Sequence, residues 1–150
     1  MKKRLINLSR LFFGRSKSFK TNHILWRFAA KKIEVGTYNL HSKAFIESGW
    51  NIYTKQINTQ DCSLLHIEYE PNDFVIFNYG VEEMGTPIEI YDLVLQEEVR
   101  YYKTAVNFIQ KIKVIVDEAT TIKGTIHYVI GDGINKVKIF KKEFKIEVND

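Results

Sequence analysis

The sequence predicts an α+β domain: mainly antiparallel sheet, one principal helix over residues 86–111 and a C-terminal β-hairpin, preceded by a basic N-terminal arm. Three observations lead there. Short runs rich in Val, Ile, Tyr, Phe and Thr recur through the chain, and such side chains favour strands. Thr86-Pro87-Ile88-Glu89 reads as a helix start: Thr86 can cap, proline fits the first helical position, and Glu89 can reach back to complete a capping box. The opening stretch "MKKRLINLSRLFFGRSKSFK" carries basic side chains and no acid.

Taken in order, the arm runs over residues 1–20 and a single compact domain over 21–150. A short amphipathic helix is expected near Thr21–Lys32, with Ile24, Leu25, Phe28 and Ala29 facing inward. Ile33–Leu40 and Trp50–Ile57 suit strands. Leu65, Ile67 and Tyr69 alternate with His66, Glu68 and Glu70, the mark of a half-buried strand. Pro71-Asn72-Asp73 supplies a turn, so residues 64–79 read as a β-hairpin with Phe74–Tyr79 as its return. Gly80 to Gly85 reads as a loop. In the principal helix, Leu95, Val99, Tyr102, Val106 and Ile109 recur at spacings of four, three, four and three, which is one helical face. Val106, Phe108, Ile112, Val114 and Val116 also alternate, so strand is expected from Ile112. Thr121–Ile130 and Ile134–Val148 flank Gly131-Asp132-Gly133, a strong hairpin signal.

Composition narrows the class. The chain has 150 residues, 45% hydrophobic and 27% charged, enough apolar material for one core and too much for global disorder. Cys62 is the single cysteine, so no intramolecular disulfide can form, which fits a reducing compartment. No apolar run approaches the roughly 18–20 residues that span a bilayer. Asn7, Ser9 and Arg10 interrupt the start, so it does not read as a secretory signal.

The charge is unevenly placed. The first 32 residues hold ten cations, Lys2, Lys3, Arg4, Arg10, Arg15, Lys17, Lys20, Arg27, Lys31 and Lys32, and no acid. The whole chain carries +4, so the remainder carries −6. Such asymmetry concerns what a protein adheres to. Projected as a helix, Leu5, Ile6, Leu8, Phe12 and Phe13 share one arc, with Lys3 and Arg10 opposite. An arm of this kind can lie in a membrane interface, Leu5, Leu8, Phe12 and Phe13 entering lipid. Its cations could equally neutralise RNA phosphates. An acid-free, Arg- and Ser-containing start also fits a mitochondrial presequence.

Signs of catalysis are few. His23, His41, His66 and His127 show no metal-ligand spacing. The flanks of Cys62, Asp61 and Ser63, suggest a loop, and an acidic neighbour raises a thiol's pKa. Glu68 and Glu70 fall on the polar side of a strand, and adjacent Glu97 and Glu98 diverge on a helix. Gly131-Asp132-Gly133 lacks the further glycine and following helix of a dinucleotide site. No catalytic residue, cofactor, metal or small-molecule substrate is therefore inferred, and the chain is expected to be non-enzymatic.

The basic start and a β-rich body with one principal helix together resemble the small matrix proteins of negative-strand RNA viruses, rhabdoviruses especially. That resemblance implies a structural protein that lines a membrane, binds the nucleocapsid and self-associates, as a homo-oligomer that is cytoplasmic and peripheral at a membrane or held in a virion. The family's proline-rich budding motifs are absent, the only prolines being Pro71 and Pro87. The reading is an adaptor whose arm engages an anionic surface, a membrane and/or a nucleocapsid. The alternatives are an intracellular RNA-binding protein and a mitochondrially targeted one.

Overall fold

The structure, a computed structural model, describes residues 16–21, 23–57, 63–77 and 79–149. Twelve strands form among them: β1 (Ser16–Thr21), β2 (Ile24–Glu34), β3 (Thr37–Ile46), β4 (Asn51–Gln56), β5 (His66–Tyr69), β6 (Val75–Ile76), β7 (Val81–Met84), β8 (Ile88–Asp92), β9 (Glu97–Tyr102), β10 (Ala105–Val114), β11 (Thr120–Gly131) and β12 (Val137–Val148). They build two six-stranded antiparallel sheets. Sheet A runs β1-β2-β3-β10, with β6 and β7 both on the far edge of β10. Sheet B runs β12-β11-β4-β9-β8, with β5 also on β11. Their inner faces pack together as a β-sandwich.

This all-β architecture corrects the expected α+β fold. Residues 86–111 hold β8, β9 and most of β10 and no helix. The three-four spacing arose from two strands and the turn between them. Within β10 the buried residues are Val106, Phe108, Gln110, Ile112 and Val114, a strict period of two. Val99 and Tyr102, both buried, lie three residues apart on β9 and belong to a different strand, separated from β10 by the turn at Lys103-Thr104. Glu89, read as the capping residue, instead reaches across to Arg100 on β9 at 2.8 Å. Pro87 stands just ahead of β8, an edge strand, where a missing N–H breaks no ladder.

Two further elements change. Residues 24–32 belong to β2 and are not helical. Ile24, Trp26 and Phe28 point inward, while Leu25 and Arg27 face out, because strand side chains alternate at every residue. Residues 64–79 do not pair as a hairpin either. β5 pairs with β11 in sheet B, and β6 with β10 in sheet A. The turn Pro71–Asp73 thus carries the chain from one sheet to the other.

The core is an aromatic seam between sheets. Phe28 of β2 stacks on Phe144 of β12 with centroids 4.3 Å apart. Trp26 meets Tyr128 of β11 edge-on at 5.2 Å. Leu40, Ile112, Ile122, Ile126 and Ile130 fill the space around them. One buried carboxylate is fully employed: Asp92 accepts the Tyr53 hydroxyl at 2.7 Å and the N–H groups of Val94 and Leu95. Burial, and then Asp92, push the Tyr53 phenol well above its ordinary value, so it remains a donor.

Gly124 of β11 lies under the seam. A Cβ there would meet the Phe144 ring at 2.5 Å and the Glu68 carbonyl at 3.0 Å. Gly124→Ala should therefore destabilise the fold by about 1–3 kcal/mol, as overpacking does. Gly80→Ala, whose Cβ meets nothing within 4 Å, should stay within about 0.5 kcal/mol of the parent. Urea unfolding of both variants checks this, and equal midpoints would contradict the assigned packing.

Candidate anion-binding face

Residues directly opposite one another on antiparallel strands share a face. The registers of β2, β3 and β10 therefore assemble the outer face of sheet A row by row. Leu25, Phe45 and Ala105 form one row, Arg27, Lys43 and Asn107 the next, then Ala29, His41 and Ile109, then Lys31, Asn39 and Lys111, and finally Thr37 and Lys113. Five cations, Arg27, Lys31, Lys43, Lys111 and Lys113, thus share one sheet face. Glu34 and Glu82 are the acids whose register positions fall on it among the described residues.

Aromatic rings hold several of these cations in place. The Arg27 guanidinium lies 5.3 Å and the Lys43 ammonium 5.0 Å from the Phe45 centroid. The Lys111 ammonium lies 5.1 Å from the Tyr79 ring. Such contacts orient a cation on the sheet surface. The outer face of sheet B differs. Along β12, Lys141, Glu143, Lys145 and Glu147 alternate in sign, so its field largely cancels.

His41 sits in the middle of the basic face, nearly buried. Asn107 donates to its Nδ1 at 2.9 Å. Burial first, then Lys31 and Lys43, hold the imidazole below its ordinary value of 6.5, with the Asn107 bond acting the other way. His66 and His127 stand across from each other on sheet B with centroids 6.2 Å apart, His66 lying 3.2 Å from Glu68. Among the described residues no group of three His, Cys, Asp or Glu is arranged to hold a metal ion.

The sequence-predicted residues fall in four groups. Arg27 and Lys31 are on the basic face. Lys32 is exposed at the far end of β2, opposite Tyr38 and on the other side of the sheet. Lys17 and Lys20 lie in β1, in register with Phe28 and Leu25. Lys2, Lys3, Arg4, Arg10 and Arg15, with Leu5, Leu8, Phe12 and Phe13, lie outside the described residues, as does Cys62. Lys43, Lys111 and Lys113 were missed by sequence reasoning. Period-two spacing from Asn107 through Lys111 and Lys113 was the available signal, but the helical assignment of that segment hid it.

The fold and this face define the class: an antiparallel two-sheet β-sandwich with one basic outer surface. No family model matches the sequence, and no curated protein matches it. Solved structures do match the fold. The N-terminal periplasmic domain of ScsB from Proteus mirabilis is similar at 13% identity with a TM-score of 0.60, over 88% of this chain and 49% of that one. The chain thus spans about half the length of that solved domain. The N-terminal domain of Neisseria meningitidis DsbD, in the reduced form, is similar at 13% identity with a TM-score of 0.59, over 85% of this chain and 87% of that one. These likenesses are of fold. Among the described residues no helix is long and apolar enough to cross a membrane.

The His41 environment has a testable consequence. Its proton affinity is lower folded than unfolded, so acid favours the unfolded chain. Stability should be unaffected by this group above about pH 6.5 and should fall as pH drops from there toward the folded value. Lys31→Ala should raise the His41 titration midpoint and reduce that acid-side loss. NMR titration of the imidazole, alongside urea melts at each pH, reads both effects; an unmoved midpoint would remove Lys31 as a cause.

Proposed function

We propose that this chain is a non-catalytic binding module that engages an anionic surface through the outer face of sheet A and the basic residues preceding it. The observation that carries the reading is the segregation of Arg27, Lys31, Lys43, Lys111 and Lys113 on one sheet face, opposite a sheet with alternating charges. Residues 1–15 add five cations and lead into β1, the edge strand of that same sheet. An anionic membrane is the preferred surface. Leu5, Leu8, Phe12 and Phe13 accompany those cations, and lipid can bury aliphatic side chains, whereas nucleic acid offers stacking to Phe and little to Leu. The matrix-protein resemblance adds no support here, since the helix-bearing body it used is a β-sandwich.

Vesicles containing phosphatidylserine and a single-stranded RNA, compared at physiological salt, test the proposal. Cations near an anionic surface contribute about 1 kcal/mol each. Arg27→Glu, Lys43→Glu and Lys111→Glu together should weaken vesicle binding at least about tenfold. Leu8→Ser with Phe12→Ser should weaken vesicle binding strongly and spare RNA. A parent that prefers RNA, or a serine variant that binds vesicles unchanged, would sink the membrane reading.

A second reading is favoured by the fold match over 88% of the chain to a domain described as periplasmic. On this reading the module works outside the cytosol. A fusion to a reporter enzyme that is active only after export distinguishes the two settings.

A further inference from the structure

We infer that the cavity at the mouth of the sandwich between β4, β5 and β7 is a binding site for a small organic cation, an ammonium group carried on an apolar body. The cavity has a volume of about 310 Å³, near the lower end for small-molecule sites. Leu65, Ile67, Val81 and Phe108 supply apolar walls, and Thr54 and Glu83 supply polar groups. His66, at the rim, is engaged with Glu68.

The sequence places Glu83 there through alternation. On β7 it lies opposite Phe108 of β10, so it faces inward while Glu82 faces out. Thr54, two residues on from the core residue Ile52 of β4, also faces inward and is 4% exposed. The Glu83 Oε1 atom accepts the Thr54 hydroxyl at 3.0 Å and also the Tyr102 hydroxyl. Burial, then the bond to Glu83, push the Tyr102 phenol well above its ordinary value. Tyr102 therefore remains the donor and Glu83 the acceptor.

Both hydroxyls bind one oxygen. The other, Oε2, has no hydrogen-bond partner among the described residues. No Lys or Arg among them forms a salt bridge to Glu83; the Arg100 guanidinium is bonded to Glu89. On the wall opposite, Leu64 donates to the Thr54 carbonyl at 3.0 Å, and Ser63 Oγ donates to the Leu65 carbonyl. A carboxylate fixed in orientation, with one oxygen open beside a cavity of mixed polar and apolar lining, suits an N–H cation. Charge-assisted hydrogen bonds of that kind are about twice as strong as neutral ones. Arg100 acts on Glu83 only through space, its guanidinium being bonded to Glu89; an anion would meet repulsion from Glu83, and a neutral ligand would forgo a charge-assisted bond to it.

The test uses the full chain labelled with nitrogen-15 and three probes of similar shape at pH 7: phenethylamine, 2-phenylethanol and 3-phenylpropionate. Phenethylamine should give saturable amide shifts at Thr54, Leu65, Val81 and Phe108. The alcohol should bind at least tenfold more weakly, and the carboxylate should give no shifts there. Glu83→Gln keeps the side-chain size and an acceptor for Thr54 and Tyr102, and should lose the preference for the amine. Equal binding of amine and alcohol to the parent chain, shifts centred away from the cavity, or undiminished amine binding by Glu83→Gln would each overturn the proposal. The comparison among probes needs no variant, so it stands even if the substitution perturbs folding.

Discussion

The aromatic seam between β2 and the C-terminal hairpin is the contact on which the other features depend. Trp26 and Phe28 belong to sheet A, and Tyr128 and Phe144 to sheet B. Their rings join strands about one hundred residues apart in sequence. Each aromatic pair contributes about 0.5–1.5 kcal/mol beyond simple burial. More important is what the seam orients. Once Trp26 and Phe28 face inward, alternation forces Leu25, Arg27 and Lys31 outward, and the register to β3 and β10 carries that choice across the sheet.

The outer face of sheet A is thus a consequence of the inner one. A one-residue slip of β3 against β10 would exchange the faces, burying Lys43 and exposing Leu40 and Ala44. Burying an unpaired ammonium costs far more than a lost methyl contact. The cations that gather on the outside therefore also help to fix the register. Phe45 sits among them and keeps Arg27 and Lys43 ordered, at the mild cost of a partly exposed ring.

The polar groups inside the sandwich are arranged differently. Asp92 accepts three hydrogen bonds and ties Tyr53 to the turn after β8. At the other end, Asn149 accepts from the Tyr38 hydroxyl at 2.6 Å and donates to the Val116 carbonyl at 2.8 Å, fastening the end of the described chain across both sheets. Glu83 contrasts with both. Its donors saturate one oxygen and leave the second open, which separates a binding arrangement from a bracing one.

Local chemistry was legible without any structure. The turn at residues 131–133 is one case: Asp132 Oδ1 accepts three successive N–H groups, from Ile134, Asn135 and Lys136, and Gly133 takes φ 73°. The alternation of Leu65, Ile67 and Tyr69 and the excess of basic residues before Ile33 are equally local. The segment 86–111 was misread because two strands joined by a turn mimic a 3.6-residue period over a short window. Which strands pair was not written locally at all. β5 and β6 stand six residues apart and enter different sheets, because each takes its partner from β11 or β10, which lie much later in the chain. The basic face and the Glu83 cavity belong to that second kind of information. Composition determined that this chain carries separated positive charge and a β-forming core. Only long-range pairing, which brings Arg27 beside Lys43 and Thr54 beside Glu83, decided where the charge gathers and where a carboxylate stays open.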